Sequence, residues 1–283
     1  MKRLIIWLAT TFMVAYSAAA YAQSHDDGVL RILAIGNSFS DDAIEEHLHG
    51  LAEAEGLTIV IGNIYKAGCS IDRHVRNLRG DISDYEYRKI DAEGVRTIVY
   101  GYTMARGLAD EDWDYVSFQQ SSPNSGQPET YALLPELVEY VKARVPEDAV
   151  FMFHQTWAYS KDSKHKEYHR YDNDQIKMYN AIVATVDEVI PQIKDIKIVI
   201  PSGTAIQNAR TSVLGDDLTR DGYHLSRPCG RYVASCTWLQ AVLGKNPVGN
   251  PYCPEGMTAQ QCKAAQKAAR KAVKKPSKIT RIK

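Results

Sequence analysis

The sequence predicts an α/β protein, a three-layer α/β/α doubly wound fold with a mainly parallel, five-stranded, flavodoxin-like sheet and a small inserted hairpin. Five short runs are apolar almost throughout, which is typical of parallel strands that helices cover on both faces. Helical periodicity fills the segments between them, and such alternation indicates a parallel sheet. The predicted strands are 29–35, 57–64, 115–119, 149–154 and 196–201.

The helical segments repeat apolar residues every three or four positions. In the first, Ile44, Leu48 and Leu51 share one face, and Gly56 is a stop signal. The predicted helices are 41–56, 71–79, 130–143, 174–189 and 227–243. The segment 85–104 instead alternates tyrosines with charged and β-branched residues, which predicts the inserted hairpin. Its tyrosines either line a sugar-sized cleft or pair across strands; they are Tyr85, Tyr87, Tyr100 and Tyr102.

The two ends of the chain differ from its centre. Residues 1–22 combine two basic residues, an apolar stretch and the small-residue pattern Ala20-Tyr21-Ala22, which predicts a signal peptide and export to the periplasm or the cell exterior. A single domain is expected over 23–250. The tail, 251–283, has nine basic and no acidic residues after Glu255. It predicts either a solvated helix or contact with an anionic surface.

Charge and cysteines restrict the partners and the cross-links. Without residues 1–22 the chain has 32 basic and 34 acidic residues, which gives no reason to expect nucleic acid. No later segment is expected to span a membrane. Of five cysteines, Cys253 and Cys262 bracket a loop and could pair. Cys229 and Cys236 lie two helical turns apart, roughly 10 Å, which is too far for a disulfide.

Two short motifs carry the chemistry. Gly36-Asn37-Ser38-Phe39-Ser40 follows the first strand, and Asp221-Gly222-Tyr223-His224 precedes the last predicted helix of the domain. Ligands of doubly wound folds bind at the carboxyl ends of the strands, where Ser38 falls. A serine nucleophile needs a base within hydrogen-bond reach and a group that orients the base. The motifs predict Ser38 as nucleophile, His224 as base and Asp221 as its orienting group.

These motifs resemble the first and last blocks of the SGNH (GDSL-like) hydrolase superfamily, with Asn37 where many members have Asp. The string from Leu33 to Ala43 is similar to a branch common among secreted carbohydrate-processing esterases. The resemblance implies acyl transfer without a cofactor, most simply removal of an O-acetyl group from a carbohydrate. It also implies that the N–H groups of Ser38 and Gly68 hold the oxyanion.

The third oxyanion donor departs from the family pattern. The family commonly has Gly-x-Asn after its third strand, whereas this chain has Ser117 to Asn124 without that motif. The Gln120 amide is the favoured replacement, and Asn124 is the competing choice. The departure motivates an alternative function, a carbohydrate-binding or scaffold protein with little catalysis.

Histidines and a tryptophan supply the remaining candidates. His154 ends the fourth strand and could bind sugar hydroxyls or serve a structural role. Trp157 lies three residues later and could stack on a sugar ring. His165 and His169 are four residues apart, a spacing that could bind metal on a helix, but no third ligand accompanies them. The expected site has no metal. The substrate is a small-molecule or polysaccharide ester, and the sequence leaves the sugar, the acyl group and the oligomeric state open.

Overall fold

The protein, in a computed structural model that describes residues 27–283, is built on one seven-stranded sheet. The predicted signal peptide, 1–22, lies outside the described residues. The strands are β1 Val29–Gly36, β2 Thr58–Tyr65, β3 Tyr85–Ile90, β4 Arg96–Tyr102, β5 Tyr115–Phe118, β6 Val150–His154 and β7 Ile196–Ile200.

The helices within residues 27–283 lie between and after these strands. They are α1 Ser38–Ile44, α2 Leu48–Glu53, α3 Ile71–Arg79, α4 Met104–Leu108, α5 Leu134–Lys142, α6 Gln175–Val189, α7 Ser202–Ala209, α8 Cys229–Leu243 and α9 Ala259–Lys274. Short 3-10 turns add Ser122–Asn124, Pro128–Tyr131, Tyr168–Tyr171 and Ile190–Gln192. In this part of the chain no helix is long and apolar enough to cross a membrane.

The strand order is β4-β3-β2-β1-β5-β6-β7. The five predicted strands form its parallel part, β2-β1-β5-β6-β7. The prediction of a five-stranded sheet is wrong, because β3 pairs antiparallel with β2 and β4 with β3. Backbone N–H and C=O groups at the edge of a sheet need hydrogen-bond partners. The backbone of β3 provides these partners to β2. The segment 85–104 therefore extends the main sheet instead of forming a separate small insertion.

Helices cover both faces of the sheet. Side chains alternate along a strand, and β1 sends Ile32 and Ala34 into one hydrophobic cluster and Leu33 and Ile35 into the other. The first cluster includes residues of α1, α8 and α9, and the second includes residues of α3, α4 and α5. Burial on both faces explains why the sequence of β1 is apolar almost throughout.

The basic tail differs from a solvated helix. The alanines of α9 are buried against α7 and α8, and small side chains allow helices to approach closely; the most buried are Ala265, Ala268, Ala269 and Ala272. Cys253 and Cys262 form a disulfide that ties the first turn of α9 to the preceding loop. Cys69, Cys229 and Cys236 are free. The tail thus contributes to the same hydrophobic core as the rest of the chain.

The first helix begins earlier than predicted and is split. α1 starts at Ser38 because the Asn37 side chain caps it, accepting a hydrogen bond from the Phe39 N–H at 2.9 Å. A break near His47 separates α1 from α2. Ser38 consequently lies on the first turn of a helix at the carboxyl end of β1.

Candidate active site

Ser38, His224 and Asp221 meet at the carboxyl end of β1, although 183 residues separate Asp221 from Ser38 along the chain. The Ser38 Oγ lies 2.9 Å from the His224 Nε2. On the other side of the ring, the His224 Nδ1 lies 2.6 Å from the Asp221 Oδ2. This is the geometry in which a carboxylate fixes the imidazole tautomer and leaves Nε2 free to accept a proton from the serine.

The loop that carries His224 is held by its own backbone. The Asp221 Oδ1 accepts hydrogen bonds from the N–H groups of Tyr223 and His224 at 3.1 and 2.8 Å. Burial acts to raise the pKa of Asp221, but the hydrogen bonds from the His224 ring and these two N–H groups outweigh it, so the pKa lies below its ordinary value. Asp221 is therefore ionised at neutral pH.

Asp42 anchors this loop to α1, the helix that begins at Ser38. It lies four residues after Ser38 on α1, is fully buried, and accepts a hydrogen bond from the Leu225 N–H at 2.7 Å. Arg220 and Arg231 pair with the same carboxylate at 2.9 and 2.6 Å. Sequence reasoning missed this residue. The signal available was an acidic residue one helical turn beyond the nucleophile, on the same face.

Asn37 joins the turn that carries Ser38 to two neighbouring loops. Its Nδ2 donates to the Cys69 carbonyl at 2.9 Å, and its Oδ1 accepts from the Gln119 Nε2 at 2.8 Å as well as from the Phe39 N–H. An aspartate could not make the first of these bonds, because a carboxylate has no donor. Asn37 thus fixes the loop after β2 relative to Ser38, a role that the motif alone did not indicate.

His154 completes this chain of hydrogen bonds from inside the core. It is fully buried, and burial lowers its pKa to about 3, so the ring is neutral. The His154 Nδ1 lies 3.0 Å from the Gln119 Oε1. Since an amide oxygen only accepts, His154 is the donor and orients the amide of Gln119 toward Asn37. The prediction that His154 binds sugar hydroxyls is wrong, because its side chain is fully buried and cannot reach a substrate in solvent. The alternative prediction, a structural role, agrees with its hydrogen bond to Gln119.

Trp157 is also placed differently from the prediction. Its ring is fully buried and stacks on Phe39 with centroids 4.2 Å apart, so neither face is open to a sugar. Its Nε1 donates to the Tyr223 carbonyl at 2.8 Å. Trp157 therefore holds the loop of His224 against Phe39 in the core. The prediction that Trp157 stacks on a substrate is wrong.

Of the two predicted oxyanion donors, Gly68 borders open space, whereas the Gln120 side chain is engaged within the protein. Gly68 has φ +62°, and a Cβ at that position would meet no atom within 4 Å, so the loop after β2 opens into free space there. The Gln120 Nε2 instead donates to the carbonyl and hydroxyl oxygens of Thr130, and its Oε1 accepts from the Ile71 N–H. Gln120 is buried and holds two loops together, so the prediction that it donates to the oxyanion is wrong. The competing Asn124 accepts from Arg170 through its Oδ1.

The two histidines with helical spacing do not form a metal site. The His165 ring packs against Tyr159 and Tyr223, with centroids 4.7 Å away in both cases, and the His169 Nδ1 hydrogen-bonds to the Lys166 carbonyl. Across residues 27–283, no group of three or more potential ligands from His, Cys, Asp and Glu is close enough to hold a metal ion.

Known proteins place this chain in a family. The family described as "Domain of unknown function (DUF4886)" matches residues 31–272. A DUF4886 family protein from Bacteroides uniformis is 49% identical, with a TM-score of 0.88 over 90% of this chain and 100% of that one.

Two more distant structures are similar at low identity. Axe2, an acetylxylan esterase from Geobacillus stearothermophilus, is 14% identical with a TM-score of 0.47, covering 75% of this chain and 93% of its own. LAE5, an alpha/beta hydrolase from the metagenome of Lake Arreo, is 13% identical with a TM-score of 0.46, covering 80% and 96%. No curated protein is significantly similar in sequence. With the match over residues 31–272, the chain belongs to the DUF4886 family.

Proposed function

We propose that this protein is an exported serine esterase of the SGNH type that removes small acyl groups, most simply O-acetyl, from carbohydrate. The observation that carries the proposal is the continuous contact from Ser38 through His224 to Asp221, at 2.9 and 2.6 Å. Three residue types needed for acyl transfer stand in the order and spacing that the chemistry requires.

In the proposed reaction the Ser38 Oγ attacks the carbonyl carbon of the ester while His224 Nε2 takes the serine proton. The tetrahedral intermediate collapses, the sugar oxygen leaves with the proton from His224, and the acyl group stays on Ser38. His224 then takes a proton from water, whose oxygen attacks the acyl carbon. Departure of the carboxylic acid returns the proton to Ser38, so every proton is accounted for by one imidazole.

Two backbone N–H groups are assigned to the oxyanion. Ser38 begins α1, and the N–H groups of a first helical turn have no acceptor within the helix. Gly68 faces open space beside it, and Asn37 fixes the distance between the two loops through the Cys69 carbonyl. Such preorganised donors stabilise the charge that develops in the transition state. Gln120 is not part of this proposal.

The substrate side of the proposal rests on the aromatic residues beside His224. The Tyr223 ring is partly exposed, 4.2 Å from the His224 ring between centroids, and packs on His165. Aromatic side chains pair a large apolar face with a polar edge, which suits the apolar faces of sugar rings. Tyr223 therefore replaces Trp157 as the proposed stacking residue. An O-acetylated polysaccharide such as acetylated xylan, which offers both the ester and the sugar ring, is the first substrate to test.

Export is part of the same proposal. The pattern in residues 1–22 predicts a signal peptide, and the Cys253–Cys262 disulfide is of a kind that forms and persists in oxidising compartments. The corresponding measurement is the N-terminal sequence of protein recovered from a periplasmic fraction. A mature chain that begins at Gln23 is expected, and full-length protein retained in the cytoplasm would contradict export.

The decisive experiment compares Ser38→Ala with the wild type on p-nitrophenyl acetate and on acetylated xylan. The proposal expects kcat to fall by at least about 10³-fold, because the nucleophile is lost. Ser83→Ala, at an exposed serine outside the site, is the matched control and should keep full activity. Equal hydrolysis by Ser38→Ala and wild type would contradict the serine mechanism.

A carbohydrate-binding protein with little catalysis is the second candidate. It is favoured by one observation, the engagement of the Gln120 amide with Thr130, which removes that amide as a donor to the oxyanion. A fluorophosphonate probe separates the two candidates. Labelling that disappears in Ser38→Ala supports the esterase, whereas binding of acetylated xylan without labelling supports the second candidate.

A further inference from the structure

We propose that a basic groove between α9 and the end of the chain binds a compact sugar that carries several phosphate or sulfate groups. The groove has a volume of about 440 Å³. Six cationic side chains line it and together define the basic groove: Lys267, Arg270, Lys271, Lys274, Arg281 and Lys283. None of them belongs to the site around Ser38, so this proposal stands independently of the proposed esterase.

One wall of the groove is a single face of α9. Residues three and four apart on a helix are neighbours, and Lys267, Arg270, Lys271 and Lys274 follow that spacing within α9. The opposite face of the helix carries the buried alanines, which hold it on α7 and α8. The cations are therefore presented from a helix that the core keeps in place.

The other wall is the segment 276–283, which is fastened to α7. The Pro276 carbonyl accepts a hydrogen bond from the Thr204 hydroxyl, and the Ile282 N–H donates to the Thr211 Oγ1 at 2.9 Å. Ile282 is only 6% exposed and packs into the hydrophobic core. Because the Ile282 side chain is buried in the core, the backbone on either side of it is held in place. Its neighbours Arg281 and Lys283 are therefore carried by an anchored segment.

No Asp or Glu side chain of the described residues pairs with these cations. Among residues 27–283, none of the ion pairs involves any of the six, and the chain has no acidic residue after Glu255. Lys267 and Arg270 are half-buried. The only side-chain hydrogen bond within the set in the described structure joins the Lys267 Nζ to the main-chain oxygen of Lys283 at 3.1 Å. Partial burial of a cation that no side-chain carboxylate pairs with, such as Arg270, is costly, and an anion from solution would offset that cost.

The helix alone does not account for the cluster. Cations in the last turn of a helix are stabilised by its dipole, which applies to Lys271 and Lys274. The effect falls off within that turn, so it does not extend to Lys267 or to the segment 276–283. Like charges at helical spacing repel one another. The mutual repulsion of these cations costs free energy in the free protein. A bound polyanion would offset that cost, as expected at a polyanion-binding site.

The shape and side chains select the ligand. A concave site of this volume lies in the range of small-molecule pockets and does not match a flat membrane surface. Arg270 and Arg281 offer planar guanidinium groups that match phosphate and sulfate oxygens in pairs. The remaining lining is aliphatic, from Val248 and Ile282, with no aromatic side chain on which a nucleobase would stack. A sugar ring with several anionic groups fits these features.

The test is isothermal titration calorimetry of the mature chain with inositol hexakisphosphate, and with dextran sulfate to represent a polymer-borne source. Uncharged inositol and dextran are the reference titrants. The groove variant is Lys267→Gln/Arg270→Gln/Lys271→Gln. Its matched control, Arg144→Gln/Lys194→Gln/Lys197→Gln, removes the same numbers of lysines and arginines from exposed positions elsewhere.

The expected result is binding of inositol hexakisphosphate that weakens as salt is raised and that is about 10-fold weaker in the groove variant. The control variant should bind like the wild type. Binding of dextran sulfate as well would show that the groups can be carried on a polymer, and binding of the small probe alone would indicate a free ligand. Equal losses in the two variants, or no binding by wild type at low salt, would overturn the proposal.

A second variant covers the case in which the triple substitution disturbs α9. Arg281→Gln/Lys283→Gln changes only the segment 276–283 and leaves the anchoring Ile282 in place. It should weaken binding of inositol hexakisphosphate by several-fold while the melting temperature stays at the wild-type value. Unchanged affinity in this double variant would contradict the placement of the ligand between the two walls.

Discussion

The site around Ser38 and the basic groove use charge in opposite ways. At the site, the Asp42 carboxylate is fully buried and paired with Arg220 and Arg231, so its charge is compensated within the protein. In the groove, six cations gather with no Asp or Glu side chain in the lining. A buried and paired charge holds the chain in one geometry, whereas an uncompensated charge is free to attract a partner. The first arrangement suits positioning of reactive groups, and the second suits binding.

The largest expected effect that separates the two regions comes from Asp221→Asn. The amide can no longer accept from the His224 N–H as a carboxylate does, so the tautomer with Nε2 facing Ser38 is disfavoured. We expect kcat for p-nitrophenyl acetate to fall by about 10²- to 10⁴-fold, with unchanged binding of inositol hexakisphosphate. Asp217→Asn, at an exposed aspartate of the same region, is the control. Full activity in Asp221→Asn would contradict the role assigned to the carboxylate.

Asp42→Asn tests the compensated charge directly. The substitution removes the carboxylate that Arg220 and Arg231 share, and it leaves Arg231, whose side chain is 9% exposed, with Glu46 at 2.9 Å as its remaining close partner. Removing one partner of a buried ion pair costs about 3–5 kcal/mol in the free energy of unfolding, measurable by urea denaturation. The neighbouring Asp41→Asn should cost less, because Asp41 lies 3.5 Å or more from its arginines. Equal effects of the two substitutions would show that Asp42 is no special anchor.

The groove should depend instead on the covalent anchor of α9. Replacing Cys253 and Cys262 with serine opens a short loop, and the loss of such a cross-link is expected to cost about 2–3 kcal/mol of unfolding free energy. At 25 °C the esterase rate should be retained, while binding of inositol hexakisphosphate weakens as α9 loosens. A rate that falls together with the binding would show that the two regions are coupled.

The smallest expected effect is a pH dependence of the unfolding free energy that arises from the buried His154. The folded pKa of His154 is about 3 against an ordinary value of 6.5, so below pH 6.5 the unfolded chain binds a proton that the folded chain does not. Stability therefore falls as the pH is lowered below 6.5, by about 1.4 kcal/mol per unit. His154→Asn has no titrating ring there and should lose about 2 kcal/mol less than wild type between pH 7 and 5. Urea denaturation at the two pH values measures this loss. An equal loss of unfolding free energy in His154→Asn and wild type would contradict a buried, neutral His154 ring.

Local sequence patterns predicted much of the sheet and the three residues that meet at its edge. The runs that became β1, β2, β5, β6 and β7 were recognisable because burial on both faces demands continuous apolar residues. The helix Ile71–Arg79 has the predicted bounds, because Ser70 caps it and Gly80 ends it. The strands β3 and β4 were recognisable as strands, but which edge they would pair with depends on the free edge of β2.

The residues that were misassigned share one physical feature. Gln120, His154 and Trp157 all lie at or just beyond the carboxyl end of a strand, yet each is at most 1% exposed. A sequence places such residues near a site but does not say whether a side chain turns toward solvent or into the core. That choice depends on neighbours 10 to 66 positions away along the chain, which are Thr130 for Gln120, Gln119 for His154 and Tyr223 for Trp157.

By itself, the sequence determined the α/β class, the parallel strands and the pairing of Ser38 with Asp221 and His224 as candidates, because periodicity and motif spacing are local properties. Tertiary structure alone decided that Asp42 locks the His224 loop to α1, that Asn37 links the nucleophile turn to the Gly68 loop, and that the end of the chain faces α9 across a cationic groove. These contacts join residues 32 to 183 positions apart or depend on how buried helices pack. Only a completed core brings them together.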